Sequence, residues 1–141
     1  MSATGLEVFD TTVHKTNRWL NDLMHVRDRE DRRETYLVLR AVLHALRDRL
    51  TVDEVAQFAA QLPMLVRGFY YEGWDPSHKP LRERHREQFL ARIEHELRNV
   101  DAIDAEPCAR AVFRVLAMRV SEGEIDDVKH ILPTPIRALW P

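Results

Sequence analysis

An all-α fold is predicted by three features of this sequence. Apolar residues recur at helical steps, hydroxyl-led capping patterns precede two of the apolar runs, and no segment alternates apolar and polar residues as a half-buried strand does. Leu39, Leu43, Leu46 and Leu50 fall at steps of four, three and four, and Ala109, Phe113, Leu116 and Val120 repeat those steps. Each set lies on one face of a helix. The likeness extends further: residues 40–70 match residues 110–140 without a gap, with nine of 31 pairs identical, where random composition gives about two. Among the identical pairs are Arg40/Arg110, Arg49/Arg119, Glu54/Glu124, Pro63/Pro133 and Arg67/Arg137. A match of this kind predicts two tandem copies of a four-helix module.

Taken in order, the elements are these. Trp19, Leu20, Leu23 and Met24 line an amphipathic stretch over Val13–His25, and the charge run Arg27–Glu34 joins it to the helix of Leu39–Leu50. Thr51-Val-Asp-Glu54 has the capping-box pattern, in which the hydroxyl satisfies a free N–H and the glutamate reaches back to the cap residue. The capped helix carries Val55, Phe58, Ala59 and Leu62 inward and stops at Pro63, and Met64–Tyr71 forms a further short helix. Gly73–Pro80, with Asp75-Pro76 and Lys79-Pro80, connects the halves. Phe89, Leu90, Ile93 and Leu97 line a stretch over Leu81–Asn99, and Val100–Glu106 leads to the helix of Ala109–Val120, with Pro107 in its first turn. Ser121-Glu-Gly-Glu124 repeats the capping box, Pro133 repeats the stop, and Thr134–Trp140 closes the chain. The expectation is one compact domain, 1–141, of about eight helices, with copies at about 11–72 and 81–140 joined by 73–80.

The run Leu39-Arg-Ala-Val-Leu43, then Leu50-Thr-Val-Asp-Glu54, Gln61-Leu-Pro63, Arg67 through Pro76 and the closing Ile136-Arg-Ala-Leu-Trp-Pro141 resemble the bacterial family known as domain of unknown function 2267. Tyr71-Glu-Gly-Trp-Asp-Pro76 is the most specific part of the likeness, which runs from about Val13 onward. The resemblance implies a small helical protein and brings no activity, cofactor or catalytic residue with it.

Composition bounds the function classes. At 141 residues the chain can bury about two thirds of its unfolded surface, and 45% hydrophobic with 31% charged residues is neither a disordered nor a membrane composition. No apolar run approaches the ~20 residues that span a bilayer, and Met1–Asp10 has neither a basic start nor an apolar stretch, so the expected location is the cytoplasm with no membrane partner. The single Cys108 excludes an internal disulfide and is expected in the core. A formal net charge of −2 lacks the electrostatic footprint of a nucleic-acid binder.

Motifs for chemistry are missing. Seven histidines include no HExxH, and the pairs Asp22/His25, Asp127/His130 and His44/Asp48 do not occupy equivalent repeat positions, so neither a metal nor another cofactor is expected. There is no GxSxG elbow, no partner base for Cys108 and no glycine-rich phosphate loop, which leaves no catalytic residue to nominate. Leu50–Ala56 resembles the opening of a helix-turn-helix, yet the helix after it is poor in basic residues. The cluster Arg82, Arg84, His85 and Arg86 is diluted by Glu83 and Glu87, so nucleic-acid binding is the least favoured reading.

Two functional expectations follow. The leading one is a non-enzymatic helical interaction or regulatory module, binding a protein partner or a second copy of itself. Its candidate surface is Tyr71, Trp74, Arg82 and Arg86, because aromatic and arginine anchors are enriched at interfaces. Set against that surface role, Tyr71 and Trp74 are more readily placed as plugs packed back into the junction of the halves. The alternative is an enzyme or small-molecule binder using the crevice between the two repeats. The repeated arginines are expected in the scaffold: Arg49/Arg119 beside helix C-termini, and Arg67/Arg137 tying the last carbonyls of the capped helices to the short helices that follow.

Overall fold

Residues 2–141 are described by a computed structural model, and among them lie eight α-helices and no strand. The helices are α1 (Glu7–Arg27), α2 (Arg32–Arg47), α3 (Val52–Ala59), α4 (Met64–Tyr71), α5 (Arg86–Glu96), α6 (Ala105–Arg119), α7 (Glu122–Ile131) and α8 (Thr134–Arg137).

Helices α2 and α6 lie against each other at the centre, and both also touch α1 and α5. Their apolar stripes are fully withdrawn from water: Leu39, Val42, Leu43 and Leu46 of α2, and Val112, Phe113 and Leu116 of α6, are buried. Side chains of this size contribute about 1.5–3 kcal/mol each on burial. Around this centre, α1 packs on α6 as α5 packs on α2, α4 packs on α1 as α8 packs on α5, and α3 meets α7. Aromatic rings fill the space between the layers. Phe113 stacks on Trp140 with ring centres 4.2 Å apart, and Tyr70 meets Phe58 at 5.7 Å while its hydroxyl donates to the Val55 carbonyl at 3.0 Å.

The elements at offset 70 are built alike in detail. Thr51 Oγ1 accepts from the Glu54 N–H at 3.2 Å, and Ser121 Oγ accepts from the Glu124 N–H at 3.4 Å. Arg67 donates to the Ala59 and Leu62 carbonyls at 2.9 Å each, and Arg137 to those of Lys129 and Leu132 at 2.9 and 3.0 Å. Proline cannot donate the i+4 N–H at these helix ends. The Ala59 and Lys129 carbonyls accept only the tighter i+3 bonds from Leu62 and Leu132, and each guanidinium fork adds a bond to one of them and one to the carbonyl just before the proline.

Four expectations are corrected. The first helix starts at Glu7 rather than Val13: Glu7 and Asp10 occupy its first turn, where acids complement the helix dipole, and Asp10 accepts from the N–H and hydroxyl of Thr4. The fifth starts at Arg86 rather than Leu81, because residues 81–85 run irregularly along the end of α2. There Leu81 N–H donates to the Asp48 carbonyl at 2.8 Å and Arg49 grips Glu83. The last helix is a single turn, since Leu139 and Trp140 bond back three residues in a tighter coil. Arg49 and Arg119 serve other elements than their own helix ends: Arg49, buried over the Phe89 ring, pairs with Glu83 at 3.1 Å, and Arg119 pairs with Asp22 at 2.6 Å.

Removing the repeated clamp tests its weight. Arg67→Met and Arg137→Met should each lower stability by about 1–2 kcal/mol, because the freed carbonyls lose charge-assisted bonds. The half-buried Arg67 should cost more than the exposed Arg137. Urea denaturation of the two variants measures this; equal stability to the parent in both contradicts the clamp.

Candidate functional site

A solvent-open cleft of about 910 Å³ lies between α1 and the turn from α3 into α4. One wall is the face of α1 that carries Val8, Thr11, Thr12, Lys15, Arg18 and Trp19, residues three or four apart and so on one side of the helix. The opposite wall is Ala60 through Met64. Thr12 fixes the two against each other. Its buried hydroxyl oxygen accepts from the Leu65 N–H at 2.9 Å, one of the orphan donors at the start of α4.

Two of the lining residues, Val8 and Met64, are exposed apolar side chains, and Leu6, Phe9 and Leu65 beside them in sequence are exposed as well. Leu6 and Val8 are each 53% exposed, Phe9 46%, Met64 48% and Leu65 45%, and the Thr12 to Leu65 bond sets the two helix starts side by side. Scattered exposed apolar residues are ordinary, but Val8 and Met64 lie on opposite walls of one cleft. The polar lining is mainly cationic: Lys15, Arg18, Arg67 and Arg119 against the single acid Glu7. Arg67 is spent on its carbonyls and Arg119 on Asp22. Among the described residues Lys15 and Arg18 make no ion pair, and both are exposed.

A second concavity of about 630 Å³ runs between α2 and α5. Its polar groups are matched to one another. His44, buried, places Nδ1 2.8 Å from Glu96 Oε1 and Nε2 2.7 Å from the Phe69 carbonyl. Glu83 binds Arg49 and Arg92, and Glu96 also meets Arg40 at 3.4 Å. The Glu96 carboxyl is held below its ordinary range: burial alone raises it, and the bond and charge of His44, with Arg40 and Arg47, outweigh that. Arg47 donates to the Tyr70 and Glu72 carbonyls at 2.6 and 2.8 Å, closing the C-terminus of α4.

The sequence-nominated residues are only partly brought together. Tyr71 and Trp74 touch, with ring centres 5.7 Å apart, and both are half-buried against the core. Gly73, at φ +77°, makes the turn between them, with Trp74 N–H donating to the Tyr71 carbonyl at 2.9 Å. Arg82 is exposed in the segment before α5. Arg86 is committed elsewhere, to Glu106 at 3.3 Å and the Pro135 carbonyl at 3.3 Å. Cys108 is buried, and that burial pushes its thiol above the ordinary range. Among the described residues no three His, Cys, Asp or Glu side chains converge to hold a metal ion, and no helix is long and apolar enough to cross a membrane.

Apolar periodicity alone starts the first helix at Val13, which leaves Val8, Thr11 and Thr12 off the helix and hides the cleft wall. Val8, Thr11, Thr12, Lys15, Arg18 and Trp19 follow one helical stripe once the helix starts at Glu7.

These features define a small, all-helical protein whose most prominent surface is an apolar, cation-lined cleft between two helix starts. The family model described as "Uncharacterized conserved protein (DUF2267)" matches residues 16–139, and the chain belongs to that family. No curated protein matches the chain.

Trp74→Ala should lower stability by about 2–4 kcal/mol, somewhat less than full burial of a tryptophan gives. Urea unfolding followed by circular dichroism reads it, and a change near zero would return Trp74 to the role of a surface anchor.

Proposed function

We propose that this chain is a non-enzymatic interaction module of the cytoplasm, and that the α1–α4 cleft holds an acidic amphipathic helix from a partner protein. The observation that carries this reading is the pairing of two exposed apolar side chains that face each other across the cleft walls, Val8 and Met64, with the unpaired cations Lys15 and Arg18 on the α1 wall. A helix laid in a groove is recognised through apolar anchors three or four residues apart. Acids flanking those anchors complement Lys15 and Arg18, which adds orientation and speeds encounter. The open form of the cleft suits an extended segment more than an enclosed small ligand, whose site buries most of its surface.

The alternative, a small-molecule site between the halves, draws support from the size of the α2–α5 concavity. Its carboxylates Glu83 and Glu96 and the His44 ring are already paired among themselves and with arginines, so a ligand that uses them has to displace ion pairs first.

The test uses a synthetic peptide with leucines on one helical face and glutamates flanking them, titrated against the protein by fluorescence anisotropy. The parent should bind it, with affinity falling as salt rises. Lys15→Glu combined with Arg18→Glu should weaken binding by about tenfold or more, as should Met64→Glu, while folding stays intact because all three positions are exposed. Absence of binding, or equal binding by the charge-reversed protein, refutes the reading.

A further inference from the structure

Glu54 and Glu124 hold equivalent places in the offset-70 match, each in the first turn of its helix, and α3 packs directly on α7. As capping-box residues they are expected to turn back to the N–H of Thr51 and Ser121. Neither does so; only the hydroxyl half of each box is made. The two carboxyls instead fall at the contact between α3 and α7, where each acts on the other. Glu54 is only 7% exposed, and Oε1 of both residues is shut off from water with no partner in the protein.

Two carboxylates so placed have no donor between them. The charged groups acting on Glu54 are Glu124 and Asp127, both acidic and both from α7. From α4, the Tyr70 hydroxyl lies in the field of both glutamates, but its proton is committed to the Val55 carbonyl. Arg47 of α2 is consumed by the Tyr70 and Glu72 carbonyls. The first-turn amides favour negative charge, and Thr51 and Ser121 already occupy one donor at each helix start. What the pair lacks is a single proton, which would turn a like-charge contact into an O–H···O bond.

We propose that Glu54 and Glu124 share one proton, and that this proton holds α3 against α7. Such a pair titrates as a unit. The direction of its titration agrees: Glu54 is pushed up to about 8, first by burial, then by the bond to Glu124, then by the charges of Glu124 and Asp127. The sign follows from linkage. The folded chain keeps the proton to higher pH than the unfolded chain, whose glutamate titrates near 4.5. The stabilisation is therefore complete below that value and is lost as pH rises through about 8. The junction also adjoins the cleft, since Gln61, which lines it, accepts from the Ser121 N–H at 3.3 Å. Loss of the proton should loosen that wall and alter peptide binding, a consequence that rests on the docking reading above.

The test compares the full-length parent with Glu54→Gln and Glu124→Gln, in which an amide supplies the missing donor. Thermal unfolding from about pH 6 to about pH 9 avoids the range where other carboxylates titrate. The parent's Tm should fall by several degrees more than that of either variant, and Glu54→Gln should be the more stable protein at the alkaline end. Carboxyl-carbon NMR of the parent, which needs no variant to fold, should show a glutamate titrating above about pH 6. Parallel stability profiles in parent and variants overturn the proposal. So do titration of both carboxyls below about pH 5, or a parent profile that changes when chelator is added. Peptide affinity should vary with pH in the parent and not in Glu54→Gln. If no peptide binds at all, the docking reading fails while the thermal and NMR results still decide the proton.

Discussion

Helix α2 has almost no face left for water, so the polar groups it carries inward at His44 and Arg47 must be answered inside the protein. They are answered by the C-terminus of α4. His44 lies 2.7 Å from the Phe69 carbonyl, and Arg47 reaches those of Tyr70 and Glu72. A helix of eight residues is too short to be stable alone, and its last carbonyls have no partners of their own. The α2 side chains therefore solve two problems at once, capping α4 and satisfying a buried imidazole and a buried guanidinium, the latter costing several kcal/mol if left unpaired. Position follows from this grip. With its C-terminus held on α2 and its first N–H groups facing Thr12 of α1, α4 must present Met64 and Leu65 outward, and the cleft is the space left beside them.

Much of this fold was legible in the residues. Helical steps of three and four, the two hydroxyl caps and the two proline stops located α2, α3, α6 and α7, and the paired arginines after the prolines sit where their spacing placed them. Element ends were less legible, because they depend on contacts distant in sequence. Residues 81–85 carry a helix-like pattern and are held out of helix by Asp48 and Arg49, just past the end of α2. No local preference encodes that. The first helix begins early because Asp10 gathers Thr4, a bond between side chain and backbone that the apolar periodicity does not register.

The candidate sites divide along the same line. Tyr71 and Trp74 stood out as aromatic residues, and the chain places them half inside as packing. Arg86 stood out as a cation and is committed to Glu106 and Pro135. Residue type alone could not separate these from Lys15 and Arg18, which differ only in having no partner. Glu54 and Glu124 were visible as a matched pair, yet their pattern read as two separate local caps. Only the packing of α3 on α7 turns them toward each other. In both cases the deciding fact is the company a side chain keeps across the fold.

Native-state hydrogen exchange on Arg47→Met, compared with the parent, tests most directly whether α2 holds α4 in place. If the grip is what orders α4, the amides of Phe69, Tyr70 and Tyr71 should lose protection by about tenfold or more. Those of Val112, Phe113 and Leu116 in α6 should lose distinctly less. Unchanged protection in α4, or an equal loss in both helices, would contradict the account.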